Sequence, residues 1–152
     1  MTKILFVCHG NICRSPMAEF VMKELVRRAG LEHEFLIESA ATSREEIGND
    51  IHYGTCTKLR EMGIPFTRRA ARQITNADYD KYDYLVAMDD ENVYYMNRWW
   101  EPDDQHKIVR LLSFAGKTRD IADPWYTGNF DQTYDDIMEG CTAFLKKITA
   151  RF

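Results

Sequence analysis

Long apolar runs are missing from this chain. No segment approaches the 18 or so apolar residues of a membrane span, which excludes a helix-anchored membrane protein. The run near the start, Ile4 to Cys8, is also too short for the apolar region of a signal peptide, so none is expected. Cysteine is sparse: four residues in 152, without the spacing of a disulfide framework. That usage fits a reducing compartment, and a cytoplasmic location is expected. An excess of positive charge is absent as well. The net charge is −4, which excludes bulk nucleic-acid binding by charge alone. Repeats, low-complexity linkers and a clustered His/Asp metal pattern are all lacking, so neither metal nor cofactor is expected. What is present is 45% hydrophobic and 29% charged residues, the balance of a globular domain. The expectation is one domain over 1–152, large enough for a full core.

Chemistry concentrates in Val7-Cys8-His9-Gly10-Asn11-Ile12-Cys13-Arg14-Ser15-Pro16. The apolar run Ile4-Leu5-Phe6-Val7 enters it and an amphipathic run leaves it, which reads as strand, tight loop and helix. Ser15 can cap that helix, and Pro16 at its first position has no N–H to lose. A helix N-terminus presents unpaired N–H groups and a partial positive charge, both favouring an anion. A loop curled over that end, His9 to Arg14, adds inward amides and makes an anion nest. Gly10 and Asn11 both tolerate the left-handed backbone such a curl needs. Arg14 offers a planar fork for two oxygens at once. Cys8 lies at the focus of this potential, which favours a thiolate nucleophile. Taken singly, Cys8 reads as a buried strand residue and Arg14 as a surface charge; together in this setting they read as an oxyanion site.

The remaining chain alternates strands and helices. The first strand spans Lys3 to Val7. The first helix runs from about Pro16 to Ala29, with Met17, Val21, Leu25 and Ala29 on one stripe beside Phe20, and Gly30 stops it. A second strand spans about Glu34 to Glu38, ending at Ser39, followed by a polar loop from Ala40 to Asp50. The second helix runs from Ile51 to Met62, capped by Asp50 and closed by Gly63, with Leu59 and Met62 facing inward beside Thr55 or Cys56. Pro65 to Ile74 is irregular and basic. Thr75-Asn76-Ala77-Asp78 starts a short helix by a capping-box-like pattern. Asp83 to Met88 is a third strand, Asp90 to Trp100 a helix, and Ile108 to Leu112 a fourth strand. Ala115 to Asn129 is a long loop. The last helix, Phe130 to Thr149, carries Tyr134, Ile137, Met138, Cys141, Phe144, Leu145 and Ile148 on one stripe, so Cys141 reads as core. The alternation predicts an α/β fold whose parallel sheet is covered on both faces. Ligands bind such sheets beyond the carboxyl ends of the strands, where the Cys8 loop falls.

An enzyme that cleaves a phosphate monoester also needs an acid to protonate the leaving oxygen. Asp123, in Asp123-Pro124-Trp125-Tyr126, is the candidate. Pro124 stiffens the loop and holds Asp123 extended. Trp125 and Tyr126 offer an aromatic wall on which a flat ring can stack. The bland alternative is that Asp-Pro simply opens a turn. His9 reads as loop packing rather than as a base.

The stretch from Cys8 to Ser15 resembles the signature of the low-molecular-weight protein tyrosine phosphatase family, and Asp123 to Tyr126 resembles that family's general-acid loop. The resemblance implies a three-layer α/β/α fold, phosphotyrosine protein phosphatase I-like, with a four-stranded parallel sheet in order 2-1-3-4. It implies hydrolysis of phosphotyrosine in protein substrates through a phosphocysteine, metal-independent, with Cys8 as nucleophile, Arg14 as clamp and Asp123 as acid. Asn11 and Ser39 resemble the pair that locks the loop. Ser15 resembles the hydroxyl that donates to the cysteine sulfur, or is only a helix cap. Asp89 stands where the family has an aspartate at the site edge; a helix cap explains it equally well. Cys13, close to Cys8 in a curled loop, reads either as a packing residue or as the redox partner of a reversible disulfide under peroxide.

Two positions depart from the family pattern. Glu45-Glu46 stand where an aromatic pair is common, so one wall of the substrate cleft is expected to be acidic and to disfavour acidic peptides. Arg69 stands where some members carry histidine. Three alternatives are set aside or kept open on residues. Arsenate reductase needs further relay cysteines, and Ala70 to Lys107 contains none. A non-enzymatic phosphate-binding module would not need Cys8, Arg14 and Asp123 together. A phosphoarginine protein or a small phosphate ester remains open as substrate.

Overall fold

The computed structural model describes residues 1–150. Strands β1 (Thr2–Cys8), β2 (Phe35–Ala41), β3 (Tyr84–Ala87) and β4 (Ile108–Arg110) form one sheet in the order β2-β1-β3-β4. Every pairing is parallel, with Cys8 opposite Ala41 and Val7 opposite Ala87. The connections carry helices α1 (Arg14–Arg28), α2 (Tyr53–Glu61), α3 (Asp78–Lys81), α4 (Asp90–Trp99), α5 (Pro124–Thr127) and α6 (Phe130–Thr149). Two 3-10 turns, Glu32–Glu34 and Leu111–Ala115, complete the described chain.

Side chains on β1 alternate between two cores, as strand geometry requires. Ile4, Phe6 and Cys8 face the larger core, built with Met17, Val21, Ile137, Cys141 and Phe144 of α1 and α6. Leu5 and Val7 face the smaller one, with Tyr82, Leu85, Met96 and Trp100. The ring of Phe144 sits edge-on to Phe6 at 6.5 Å and flat on Phe114 at 4.2 Å. Burying each such side chain contributes about 1.5–3 kcal/mol. The alternation also aims the Cys8 sulfur toward the start of α1.

Several boundaries differ from the sequence reading, each for a local reason. α1 begins two residues earlier, at Arg14, and Val26 completes its buried stripe in place of exposed Ala29. β2 runs on to Ala41 because the loop after it keeps pairing: Ala41 exchanges backbone bonds with Arg72 and Ile74. The cap of α2 is His52, whose Nδ1 accepts from Gly54 N at 3.0 Å, and not Asp50. Asp50 instead takes the N–H groups of Ile51 and Arg69. Met62 lies outside α2 and is 41% exposed. β4 stops at Arg110: Leu111 turns inward against Gly140, where an added Cβ would lie 2.6 Å from Leu111 Cγ. The loop around Asp123 contains the one-turn helix α5, with Pro124 at its first position and Gly128 closing it at φ 69°. Gly63 closes α2 at φ 69°, and α6 spans Phe130–Thr149 as the apolar stripe indicates.

Candidate active site

The segment between β1 and α1 folds back on the end of its own strand. Asn11 takes the left-handed backbone, φ 60°; Gly10 does not, contrary to the expectation for it. Gly10 instead leaves room for Glu46, whose Cγ would lie 3.3 Å from an added Cβ. The turn points two amides at the sulfur: Asn11 N lies 3.3 Å and Ser15 N 3.4 Å from Cys8 Sγ. Ser15 is inside α1 and does not cap it; the cap position is Cys13, which makes no side-chain cap bond. The Ser15 hydroxyl accepts from Asn11 Nδ2 at 2.8 Å, and its own hydrogen has two acceptors in reach, Cys8 Sγ at 3.0 Å and, at 3.5 Å, the Ala40 carbonyl.

A second layer fixes the loop. Asn11 Nδ2 also donates to Ser39 Oγ at 2.9 Å, and Ser39 donates to buried Glu19 at 2.6 Å. Arg72 N donates to Asn11 Oδ1 at 3.3 Å. Arg69 donates one guanidinium hydrogen to the Asn11 carbonyl and another to the Asn49 carbonyl. Burial lowers the Arg69 pKa, against the opposing charges of Glu19 and Cys8. The sequence marks Arg69 as part of a basic stretch and as a departure from the family pattern, but not its contact: the partner lies 58 residues away, which no local pattern reveals. Glu19 was missed for the same reason.

Arg14 is buried at 2% exposure. Its Nη1 donates to Asp89 Oδ2 at 2.6 Å and to the Ile121 carbonyl at 2.9 Å. Its Nη2 reaches Asp123 Oδ2 at 3.4 Å. Nη1 has no further hydrogen, so Nη2 and Nε are the ones left for an anion. Burial works against the charge, but Cys8, Asp89 and Asp123 outweigh it and raise the pKa above the usual value for arginine. Asp89 does both things weighed for it. Oδ1 caps α4 by accepting from Asn92 N at 2.7 Å, while Oδ2 holds Arg14.

Cys8, Cys13, Arg14, Asp123, Trp125, Tyr126 and Glu45 line one pocket of about 90 Å³. Asp123 Oδ1 caps α5 by accepting from Trp125 N at 3.0 Å. Trp125 and Tyr126 are 56% and 80% exposed, forming an open wall. His9 Nε2 and Glu45 Oε2 meet at 2.8 Å on the opposite rim. Ser39 and Asn11 stand behind the loop rather than in the pocket. All four cysteines are free thiols. Burial, reinforced by Cys8 and Asp123, pushes the Cys13 thiol up to about 12. Among the described residues no group of three or more His, Cys, Asp or Glu side chains is placed to hold a metal ion. No described helix is long and apolar enough to cross a membrane.

A cysteine wrapped by loop amides at the carboxyl end of a central parallel strand, with an arginine and an aspartate beside it, is a specific constellation. The family described as low molecular weight phosphotyrosine protein phosphatase matches residues 3–151, and the chain belongs to that family. Among its relatives, the low molecular weight protein-tyrosine-phosphatase YfkJ of Bacillus subtilis is 41% identical over 150 residues, covering 97% of this chain and 96% of the relative. The human low molecular weight phosphotyrosine protein phosphatase is 38% identical over 149 residues, covering 95% and 94%. The crystal structure of YfkJ superposes with a TM-score of 0.95 over 99% of this chain and 96% of that one, at 40% identity.

Proposed function

We propose that this single-domain protein is a protein tyrosine phosphatase that works through a phosphocysteine. The observation that carries the reading is the pair of amides, Asn11 N and Ser15 N, converging on Cys8 Sγ in a pocket shared with Arg14 and Asp123. These two amides steady the sulfur, and a tetrahedral oxyanion placed above it meets the other amides of the loop and the free edge of Arg14. Cys8 thiolate attacks phosphorus in line, the S–P bond forms, and the P–O bond to the tyrosyl oxygen breaks. Asp123 gives its proton to that oxygen as it leaves. Arg14 and the amides of His9 to Arg14 hold the three equatorial oxygens, where charge is spread in the transition state. Water then attacks phosphorus, Asp123 takes its proton, and the S–P bond breaks to return thiolate and inorganic phosphate. The Ser15 hydroxyl steadies the sulfur as it leaves.

Trp125 and Tyr126 form the wall on which a phosphotyrosine ring stacks, and the Glu45–Glu46 rim selects against acidic flanking sequences. Under peroxide, the Cys8 thiolate is oxidised to sulfenic acid with release of hydroxide, and the Cys13 thiol condenses with it, releasing water and leaving a Cys8–Cys13 disulfide. Loss of the Cys8 negative charge in the first step removes one of the causes that hold the Cys13 proton in place. Four free thiols suit a reducing, cytoplasmic compartment.

Turnover of para-nitrophenyl phosphate by the parent and none by Cys8→Ser supports the reading; turnover retained by Cys8→Ser overturns it. A panel of phosphotyrosine peptides, phosphoarginine and small esters, with Cys8→Ser and Asp123→Ala as traps, ranks the substrates. Dithiol recovery after peroxide in the parent but not in Cys13→Ser supports the disulfide; equal recovery overturns it. If Glu45→Lys leaves the ranking of acidic and basic peptides unchanged, the rim plays no part in selection.

A further inference from the structure

The phosphate loop and the turn bearing Asp123 come from distant stretches of chain, and one residue outside the pocket touches the supports of both, the first through its backbone and the second through its ring. His52 N donates to the Ile12 carbonyl, in the phosphate loop, at 2.9 Å. The His52 ring meets Trp125 edge-on at 5.5 Å. It also lies flat against Phe130, at 5.5 Å and 12°, where the chain leaves α5 for α6. The bond from Gly54 N to Nδ1 fixes the plane of the imidazole, because rotating it would give up the cap of α2. Gly54 has a further part: a Cβ there would lie 2.3 Å from Phe130 Cζ, so glycine alone lets that ring approach.

Trp125 passes this contact to the carboxylate. Its N–H donates to Asp123 Oδ1 at 3.0 Å, so the tryptophan backbone and the Asp123 side chain move as one unit. The turn is anchored upstream by Ile121, whose N–H donates to Met88 and whose carbonyl accepts from Arg14, both at 2.9 Å. Beyond Asp123 the turn is thinly packed, with Trp125, Tyr126 and Thr127 all exposed. The His52 ring is the lateral support on that side.

We propose that His52 is a positioning residue that holds Asp123 in register with the phosphate loop, acting through Trp125. The inference rests on the reading of Asp123 as the general acid. A purely structural role for His52, as the cap of α2, is separable from it. Asparagine is among the best N-cap residues, so His52→Asn keeps an acceptor for Gly54 N and removes only the ring.

The test uses kcat/KM, which reports the first chemical step, on aryl phosphates of graded leaving group: 2,4-dinitrophenyl, para-nitrophenyl and phenyl phosphate. An acid matters most where the leaving oxygen is most basic. Asp123→Ala should therefore lose most on phenyl phosphate and least on the dinitrophenyl ester. His52→Asn should show the same trend, with about a tenfold greater loss on phenyl phosphate than on the dinitrophenyl ester, since a small misplacement of a catalytic group has effects of that order. Adding Trp125→Ala to His52→Asn should cost no more than Trp125→Ala alone, because both act through one contact. A uniform loss across the three esters, parent-like rates for His52→Asn, or additive losses with Trp125→Ala would each overturn the proposal while leaving the acid reading intact. No trend in Asp123→Ala would overturn both.

Discussion

The proposed nucleophile, Cys8, and the proposed acid, Asp123, are held in opposite ways. Cys8 ends the central strand of a parallel sheet, is 3% exposed, and has its loop tied by Ser15, Ser39, Arg69 and Arg72 through Asn11 alone. Asp123 opens a single helical turn whose next four residues include three exposed ones, and whose contacts to the rest of the site are few. The anion nest must present its amides before substrate arrives, so its geometry is built into buried hydrogen bonds. Asp123, the proposed acid, sits on a turn at the surface, next to the exposed Trp125 and Tyr126. Rigidity here follows from where proton and charge have to be, not from which residue is more important.

Mutations can break this comparison at graded cost. Cys8→Ser removes the proposed nucleophile and should lower kcat by about 10⁴–10⁶, equally for all aryl phosphates. Asp123→Ala should lower it by about 10²–10⁴, graded by leaving group; an ungraded loss would mean the two regions do not divide the work as described. Arg69→Met strips the donor from the Asn11 carbonyl, at a cost of about 1–3 kcal/mol for the acceptor left behind. It should lower the melting temperature and weaken inhibition by inorganic phosphate together, and a variant that melts earlier but binds phosphate normally would show the loop to be stiffer than its bonds suggest. Gly54→Ala pushes Phe130 from α2 and should destabilise by about 1–3 kcal/mol. That loss should come with a larger deficit on phenyl than on dinitrophenyl phosphate. Glu24→Gln, at the far end of α1, is the control that should leave catalysis untouched.

Glu24 also carries a pH signature. Hydrogen bonds from Arg27 and Arg28 hold its carboxyl down at about 2. A depressed folded-state value stabilises the protein above the unfolded carboxylate range near pH 4 and loses that stabilisation as pH falls toward 2. The melting temperatures of parent and Glu24→Gln should therefore differ by less than about 1 kcal/mol equivalent at neutral pH and converge in acid.

Much of this was legible from residues alone, and the exceptions have a common cause. The Cys8 loop and both ends of α6 emerge because each depends on neighbouring residues: a strand, a turn, an unbroken apolar stripe; the sheet order, which pairs distant strands, came from the family resemblance alone. The one-turn helix at Asp123 was written in local signals too, an aspartate cap, a proline and a closing glycine, but four residues are too few for a period to show. What could not be read were features decided by distant chain. Leu111 and Leu112 continue an apolar run and look like strand until Gly140 offers a notch for Leu111. Asp50 reads as the cap of α2, but the N–H groups of Ile51 and Arg69 claim it, and His52, which no cap preference singles out, takes the place. Asp89 looked ambiguous because it has two oxygens with two jobs.

Asn11 carries one more consequence. Its main chain demands an amino acid content at positive φ, which few are, and its side chain must give hydrogens to two serines while receiving one from Arg72. Glycine meets the first demand and fails the second; aspartate has the shape but cannot donate. Saturation mutagenesis at this codon, selected for turnover, should return the parent residue and little else.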